Sequence, residues 1–369
     1  MKRVHISLIG GQGAPVYNFI KADKENIDVV VLVCSKQSEN VCKTIEKLVK
    51  KNLQLEVKTK ELAPNNIDEI YKGIRALQKD YGTDEITLNV SGGTKPWSIL
   101  FYSEFSKNAS HKIYFIDQNN NVWDLKNGGH ASIPALTIDE MFALANLKIE
   151  KTGIDEFTEA DVQNIAPIKE IRSRYPKAYR DIVDAYKKAP TGKTTYAKDD
   201  TSFAVWDKAT RTFHCHFEKY NRQKEYKLSS PHIWQLFINT GWFELEVAKL
   251  VSQWRSAKVI WTNCEIKDEK GSTLNEIDII VFNGTKYLFI ECKTQVHSIT
   301  DVDKFNNLKS YSGLSIKRVF ITEVKMTDKA ARKCKENDIS YFSMEEISKK
   351  GEKWFFGQLD NIMIATNKK

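Results

Sequence analysis

The residues best suited to chemistry lie in two apolar runs joined by Asn283-Gly284. The first run contains Asp278, and the second ends in Glu291-Cys292-Lys293. Asn-Gly between apolar runs is a strong signal for a β-hairpin, and side chains alternate between the two faces of a strand. Glu291 and Lys293 therefore share one face, Cys292 points the other way into apolar packing, and Asp278 on the paired strand comes near Glu291.

Two acids and a lysine at the end of apolar strands predict a site for a divalent cation. Two carboxylates, a backbone carbonyl and water are ligands that Mg²⁺ or Mn²⁺ accepts. The cation would acidify a water and neutralise an attacked phosphate, while a lysine can orient or deprotonate that water or stabilise the developing charge. Glu244, beside the core-like Trp242 and Phe243 on a predicted helix, is placed to complete the shell. The predicted catalytic residues are Asp278, Glu291 and Lys293, and the predicted metal site comprises Glu244, Asp278, Glu291 and Cys292. The alternative is a surface hairpin with a simple Glu–Lys pair.

Two Gly-rich loops near the N terminus form a second candidate site. Residues 10–15 and 91–95 each follow a predicted strand and precede a predicted helix. Glycine allows close backbone approach, and the free N–H groups of a helix start attract anions. The first loop lacks the third glycine of GxGxxG because Val16 stands there, so a dehydrogenase is disfavoured. Ordinary tight turns are the alternative.

In open α/β sheets, ligands bind at the carboxyl ends of the strands. We therefore predict a ligand site at these loops, with one further residue after the second strand. The predicted residues are Gly11, Gln12, Gly13, Ser35, Ser91, Gly92, Gly93, Thr94 and Lys95.

The elements that position these residues fall into three predicted segments. Residues 1–135 alternate apolar strands (4–9, 28–34, 53–57, 85–90 and 112–117) with helices, and 122–125 returns antiparallel. This alternation is typical of a parallel sheet covered on both faces. Residues 136–228 are predicted to be a linker or insert with a helix over 154–186 and a hairpin over 203–217. Residues 229–369 are predicted to hold a long helix (231–254), strands at 257–266, 275–282, 285–292 and 317–322, and helices at 303–311 and 328–337.

Composition sets the remaining limits. The chain has 369 residues with a net charge of +8, which is compatible with a polyanionic partner. Its apolar runs are too short for a membrane helix or a signal peptide. The six cysteines are scattered without a CxxC pair, as in a reduced, cytoplasmic protein. We expect no membrane partner.

The hairpin resembles the PD-(D/E)xK nuclease superfamily over about residues 230–345. Asp278 matches the metal-binding Asp, Glu291 and Lys293 match the (D/E)xK, and Glu244 matches the helix acid. The proline before the Asp is absent, since Ile277 stands there. The resemblance implies a restriction-endonuclease-like α/β domain and metal-dependent hydrolysis of DNA or RNA.

The strand followed by Ser91-Gly92-Gly93-Thr94-Lys95 resembles the CRISPR-associated Rossmann-fold (CARF) sensor domain. That domain fused to a PD-(D/E)xK nuclease is similar to the ancillary nucleases of type III CRISPR systems that cyclic oligoadenylates activate. The resemblance implies a homodimer with the ring across its two-fold axis, cyclic tetra-adenylate as the ring, and Gln12, Ser91, Thr94 and Lys95 as contacts.

Three functions stay open at this point. The first is a cyclic-oligoadenylate-activated, Mn²⁺- or Mg²⁺-dependent nuclease that cleaves DNA, RNA or both in antiviral defence. The second is a ligand-gated regulator that binds nucleic acid without cutting it. The third is a constitutive restriction- or repair-type nuclease.

Overall fold

The computed structural model describes residues 1–117, 119–199, 201–220, 222–296, 299–308 and 316–364. These residues form a mixed α/β structure with three β-sheets, which confirms the predicted α/β class. Within those ranges no helix combines the length and the apolar character needed to cross a membrane.

The first sheet lies at the N terminus and is largely parallel. Its strands are β1 (Arg3–Leu8), β2 (Val29–Cys34), β3 (Glu56–Glu61), β4 (Glu85–Asn89), β5 (Lys112–Ile116), β6 (Asn121–Asp124) and β7 (His130–Ser132). They lie in the order β3-β2-β1-β4-β5-β6-β7, and the chain reverses direction only at β6 and β7. The predicted parallel sheet with an antiparallel return is confirmed.

Helices cover both faces of this sheet. They are α1 (Ala14–Ala22), α2 (Glu39–Leu48), α3 (Ile67–Tyr81) and α4 (Lys95–Phe105). Every residue of β2 is buried. Val31 belongs to the apolar cluster of α3 and α4, whereas Leu32 belongs to that of α1 and α2. An unbroken β-branched run is therefore stable here, since neither face meets water.

The third predicted strand, 53–57, is shifted. After α2 the chain continues as a π-helical turn over Val49–Leu53, and Gln54 takes a left-handed conformation with φ of 59°. Leu53 and Leu55 pack against the core from this turn. The strand that follows lies at the sheet edge, where a largely polar sequence is tolerated.

The middle of the chain is folded. It contains α5 (Ile138–Ala143), β8 (Lys148–Gly153), α6 (Glu159–Gln163), α7 (Ile165–Arg174) and α8 (Pro176–Lys188), then β9 (Thr194–Tyr196), β10 (Phe203–Asp207), β11 (Thr212–Lys219) and β12 (Arg222–Ser229). The last four strands form an antiparallel sheet in the order β12-β11-β10-β9, so the predicted hairpin is confirmed. The predicted division at residues 135 and 228 stays a prediction.

The single helix predicted over 154–186 is wrong, because two local signals interrupt it. Thr158 caps α6 by accepting a hydrogen bond from Asp161 N, and Asp161 bonds back to Thr158. Tyr175 precedes Pro176, and a residue before proline disfavours the helical conformation. Three short helices result.

The third sheet carries the predicted acid–lysine hairpin. Its elements are α9 (Ile233–Phe237), α10 (Trp242–Ser252), β13 (Val259–Lys267), β14 (Thr273–Phe282), β15 (Tyr287–Lys293), α11 (Ile299–Asn307), β16 (Ile316–Thr322), α12 (Asp328–Glu336), β17 (Ser340–Ser343), α13 (Met344–Lys350) and α14 (Glu352–Ile364). The strand order is β17-β16-β15-β14-β13-β8, so the middle segment contributes an edge strand. The predicted helix 303–311 begins earlier, and its residues 309–311 lie outside the described residues.

The long helix predicted over 231–254 is two helices. The chain breaks at Asn239-Thr240-Gly241, where Thr240 has φ of 64°. Phe237 before the break and Trp242 after it are both fully buried. The break lets the two helices direct their apolar faces at one core while α10 begins near the hairpin.

Helix α5 connects two lobes of the chain, one built on the first sheet and one built on the third sheet. Ile138 and Phe142 are buried in the core of the third sheet, while Leu144, which follows α5, packs on the core of the first. Phe142 stacks on Phe289 of β15 with ring centroids 6.4 Å apart. On the other side, a Cβ on Gly13 would lie 3.3 Å from Leu144 Cδ2. Helix α5 and the residue after it thus contact a strand residue two positions before Glu291 and the loop residue Gly13.

Candidate functional site

The hairpin of β14 and β15 sets the positions of the predicted catalytic side chains. Ile279 pairs with Ile290 and Phe282 with Tyr287, and this register continued by one residue places Asp278 opposite Glu291. Residues 283–286 form the turn, in which Asn283 Oδ1 accepts from the N–H groups of Thr285 and Lys286. The predicted Asn-Gly hairpin is confirmed.

Lys293 brings the two acids together. Its Nζ lies 2.7 Å from Glu291 Oε1 and 3.7 Å from Asp278 Oδ2. The Cys292 N–H donates to Asp278 Oδ2 at 2.6 Å. The Asp278 side chain is 10% exposed and that of Glu291 15%, against 38% for Lys293. The structure therefore confirms that these three side chains converge at a nearly buried point.

Glu244 belongs to the same electrostatic group. It lies in the first turn of α10. Burial, with a further contribution from Asp278, raises the pKa of Glu244 and that of Glu291 to about 8 each. Burial also raises the pKa of Asp278, against the stabilising effect of Lys293 and the Cys292 N–H. Lys293 itself loses solvation, but the adjoining carboxylates hold its pKa above the ordinary value. Glu244, Asp278 and Glu291 thus share the ammonium group of Lys293, which does not balance their combined negative charge.

The chemistry of this donor set suits a hard divalent cation, because carboxylate oxygens are its preferred ligands. The placement of these side chains, however, does not give a complete set of metal ligands. Across the ranges that the structure describes, no group of three or more His, Cys, Asp or Glu side chains is placed to hold a metal ion. Asp278 and Glu291 instead share the Lys293 ammonium. Cys292 has its thiol in the apolar core, so it can enter a metal site only through its backbone.

Two residues that the sequence analysis did not identify support the acid–lysine cluster. Glu323 N donates to the Lys293 carbonyl at 3.2 Å. Arg172 of α7 donates to Glu323 Oε2 at 2.9 Å, and its guanidinium lies 4.7 Å from the ring centroid of Trp242. No local pattern could have identified them, since Arg172 is 151 positions away from Glu323.

The two Gly-rich loops meet at the carboxyl edge of the first sheet. They follow β1 and β4, which are parallel neighbours. A Cβ on Gly92 would overlap the Leu8 carbonyl oxygen, and a Cβ on Gly10 would lie 3.0 Å from Gly93 N. Gly93 has φ of 78°. Glycine is needed because the two backbones touch.

The hydroxyl groups predicted to bind a ligand are engaged in shaping the loops. Ser91 Oγ donates to Asn89 Oδ1 at 2.5 Å and accepts from Ile116 N at 2.7 Å. Thr94 Oγ1 donates to the Pro64 carbonyl at 2.8 Å and caps α4.

Ser35, after β2, lies at the same edge of the sheet. It is buried and forms a reciprocal cap with Ser38. The exposed members of the predicted set are Gly11, Gln12 and Lys95. The edge therefore offers solvent one amide side chain, one ammonium group and the loop backbone.

Comparison with known proteins bears out the N-terminal prediction. Residues 4–141 match the family described as the Card1 CARF domain. The expectation of a CARF-type domain in this segment is confirmed. No curated protein matches the chain in sequence.

Three solved structures share the fold. Can2 from Sulfobacillus thermosulfidooxidans in complex with cyclic tetra-adenylate is 18% identical, with a TM-score of 0.69 and coverage of 98% of this chain and 99% of Can2. Protein VC1899 from Vibrio cholerae is 13% identical, with a TM-score of 0.72 and 99% coverage of both chains. A type III CRISPR defence DNA nuclease activated by cyclic oligoadenylate is 14% identical, with a TM-score of 0.50 over 88% of this chain and 45% of that nuclease. At these identities the likeness establishes the fold.

The contact between the two loops predicts that alanine substitution at two of the glycines has different effects on the free energy of unfolding. Gly92→Ala should lower the free energy of unfolding by about 1–3 kcal/mol, because the new methyl group forces the loops apart. Gly11→Ala should change it by less than about 0.5 kcal/mol, since nothing lies within 4 Å of that position. Urea denaturation measures both. Equal effects would contradict the close approach.

The raised carboxyl pKa values predict a pH dependence of stability. Glu244 and Glu291 have pKa values of about 8 in the folded chain, against 4.5 ordinarily. Between these values the folded state holds protons that the unfolded state releases, so the free energy of unfolding falls as pH rises from about 4.5 to about 8. With a chelator present, Glu291→Gln should flatten this decline. Glu225→Gln, whose side chain is 86% exposed, should leave it unchanged, and an equal slope in all three proteins would contradict the assignment.

Proposed function

We propose that the protein is a nuclease of type III CRISPR antiviral defence that a cyclic oligoadenylate activates and a divalent metal ion supports. In this proposal residues 1–135 sense the ring, and residues 229–369 cleave DNA, RNA or both with little sequence preference. The observation that carries it is the presence in one chain of a CARF-matching segment and a converged Asp278–Glu291–Lys293 set.

Ring binding is proposed at the carboxyl edge of the first sheet. The Can2 structure that shares this fold is a complex with cyclic tetra-adenylate. That ring is therefore our preferred activator. Lys95 and Gln12 are exposed there, and the backbone N–H groups of adjoining loops suit phosphate oxygens. Ser91 and Thr94 contribute by holding the loops in shape.

Cleavage is proposed at the acid–lysine hairpin. A bound Mn²⁺ or Mg²⁺ would lower the pKa of a water and balance the carboxylates. Asp278 and Glu291, with the Cys292 backbone and Glu244, are the residues proposed to hold it. Since its pKa is raised, Lys293 stays a cation at neutral pH. It is therefore suited to orient a phosphate and to stabilise charge that develops on it.

A homodimer is proposed through an apolar surface beside α4. Phe115 and Trp123 are paired across β5 and β6, and Tyr102 OH donates to the Leu125 carbonyl. These side chains are 36–40% exposed, and that of Ile99 is 66% exposed. Clustered apolar exposure of this kind marks interaction sites. A two-fold partner covering it would set two ring-binding edges side by side.

Activation is proposed to pass through α5. The Leu144 side chain lies against the ring-site loop at Gly13, and Phe142 stacks on Phe289, two residues before Glu291. The cation Lys21 of α1 also pairs with Glu140 of α5. A displacement of the loop on ring binding would therefore be transmitted to β15 through packed side chains.

A ligand-gated regulator that binds nucleic acid without cutting it is the second candidate. It is favoured by the absence, within the described ranges, of three metal-ligating side chains placed to hold an ion. A constitutive nuclease is the third, and activity that is independent of the ring would establish it.

The cleavage proposal predicts a separation of binding from catalysis. Lys293→Ala and Glu291→Gln should each lower ring-dependent cleavage of labelled single-stranded DNA and RNA by at least about 100-fold. Both should bind cyclic tetra-adenylate as the wild type does. Lys95→Ala should show the reverse, with weaker ring binding but unchanged cleavage at saturating ring. Mn²⁺-dependent cleavage assays and calorimetric titration measure these effects. No cleavage by the wild type with ring and Mn²⁺ present would favour the regulator.

The coupling proposal predicts a variant that binds the ring but responds to it poorly. Phe142→Leu removes the stacking on Phe289 and should reduce the ratio of ring-stimulated to basal cleavage several-fold, with ring affinity nearly unchanged. Phe105→Leu is the control, because Phe105 is equally buried but lies at the end of α4, in the apolar core of the first sheet. If both variants kept the wild-type ratio, α5 would not be the coupling element.

A further inference from the structure

An asparagine interrupts β13 at the position across from Asp278. Asn263 has φ of 48° in the interior of this strand. Such a left-handed conformation is rare for residues other than glycine, although asparagine is among the few that adopt it. Thr262 pairs with Ile279 of β14, and this register continued by one residue places Asn263 opposite Asp278. On its other side, the pairing of β13 with β8 shifts over the same stretch, as it does at a β-bulge.

The alternation of side chains between the two faces of the sheet slips here in both strands. In β14, Ile277 belongs to the apolar cluster of α5 and α11, whereas Ile279 belongs to that of α10. In β13, Cys264 and Ile260 differ in the same way. Residues two or four apart on a regular strand point to the same face, so each strand has lost its regular alternation. The two slips lie side by side across the ladder, at the position of Asn263.

Strand β14 separates from β15 at the same point. The two strands pair only as far as Ile279 and Ile290, although β15 continues to pair with β16 as far as Lys293. Beyond the last pair, the Asp278 carboxylate bonds to the backbone of β15, because its Oδ2 accepts from Cys292 N at 2.6 Å. The position of this carboxylate therefore depends on where β14 turns away from its neighbour.

A side chain of α9 holds the asparagine in place. Gln235 Nε2 donates to Asn263 Oδ1 at 2.6 Å, and both residues are half-buried. The Gln235 carbonyl also accepts from Gly241 N at 3.1 Å, directly before α10, whose first turn carries Glu244. Gln235 thus contacts both the break in β13 and the start of the helix that carries Glu244.

We infer that Asn263 is a positioning residue for Asp278, because its left-handed backbone produces the paired slip that directs this carboxylate toward Lys293. Asn263 takes no part in the chemical step and acts only through the acid. A residue that resists this conformation would straighten β13 and return Asp278 to the regular alternation, away from Cys292 N. The inference rests on the proposed function, since it names a residue that prepares the proposed site for cleavage.

The first measurement is ring-dependent cleavage of labelled single-stranded DNA and RNA with Mn²⁺ present, resolved into kcat and KM. Asn263→Thr should lower kcat by about tenfold or more, because a β-branched residue resists a positive φ and a displaced acid is costly to the chemical step. Its KM should stay within about twofold of the wild-type value. Asn263→Gly should keep kcat within about threefold of wild type, since glycine adopts a positive φ freely.

The second measurement does not require activity. Hydrogen exchange of the Cys292 amide, followed by mass spectrometry with a chelator present and without cyclic oligoadenylate, reports the bond from this amide to Asp278. Exchange should be faster by about tenfold or more in Asn263→Thr and equal to that of the wild type in Asn263→Gly. If Asn263→Thr does not fold, Asn263→Ala takes its place, because alanine also disfavours a positive φ but adds less bulk.

Asp338→Thr is the matched control, because Asp338 also has a positive φ, of 54°, but lies between α12 and β17. This variant should leave both kcat and the exchange of the Cys292 amide unchanged. Equal losses in Asp338→Thr and Asn263→Thr would overturn the inference, and so would equal losses in Asn263→Gly and Asn263→Thr. A fall of kcat in Asn263→Thr without faster exchange at Cys292 would overturn it as well.

The two measurements distinguish this inference from the proposed function. If the wild type cleaves nothing but exchange at Cys292 follows the expected order, the nuclease proposal fails and the positioning of Asp278 by Asn263 stands. If the wild type cleaves and Asn263→Thr leaves kcat unchanged, the positioning role fails alone.

Discussion

The interaction on which the candidate site of the third sheet depends is the ion pair of Lys293 with two carboxylates that the hairpin brings together. Asp278 and Glu291 are nearly buried, and removing like charges from water is costly unless a cation compensates them. The Lys293 ammonium and the Cys292 N–H are the compensation that the described residues provide. The raised pKa values of Glu244 and Glu291 show that this compensation is incomplete. A protein that keeps such an arrangement sacrifices stability, which is typical of a site kept for chemistry.

The Gly-rich loops of the first sheet are held in shape differently. Residues 10–15 and 91–95 carry no buried acid–base cluster, and their shape depends on backbone contact between Gly92 and Leu8. Hydroxyl groups that look like ligand contacts in the sequence instead fasten this shape, as Ser91 does between Asn89 and Ile116. What remains for a ligand is N–H groups and a few exposed side chains. This arrangement suits the proposed anionic ring, because backbone N–H groups can bind phosphate oxygens.

The sequence was most informative where a local signal coincided with the site. Asn283-Gly284 predicts the hairpin, alternation along its strands predicts that Glu291 meets Lys293, and the buried β-branched run of β2 predicts the parallel sheet. Local signals failed where distant contacts decide. Helix 231–254 breaks because Phe237 and Trp242 must reach one core, and Arg172 reaches Glu323 only through the packing of α7.

The proposed coupling of the two lobes rests on the elements that contact both. A ring can change the activity of the hairpin only through contacts that differ between two states. Met141 packs against the cores of both lobes, and Tyr287 OH donates to the Leu136 carbonyl at 2.8 Å. These contacts surround α5, so in the proposed mechanism a shift of this helix on ring binding would move β15, which carries Glu291 and Lys293.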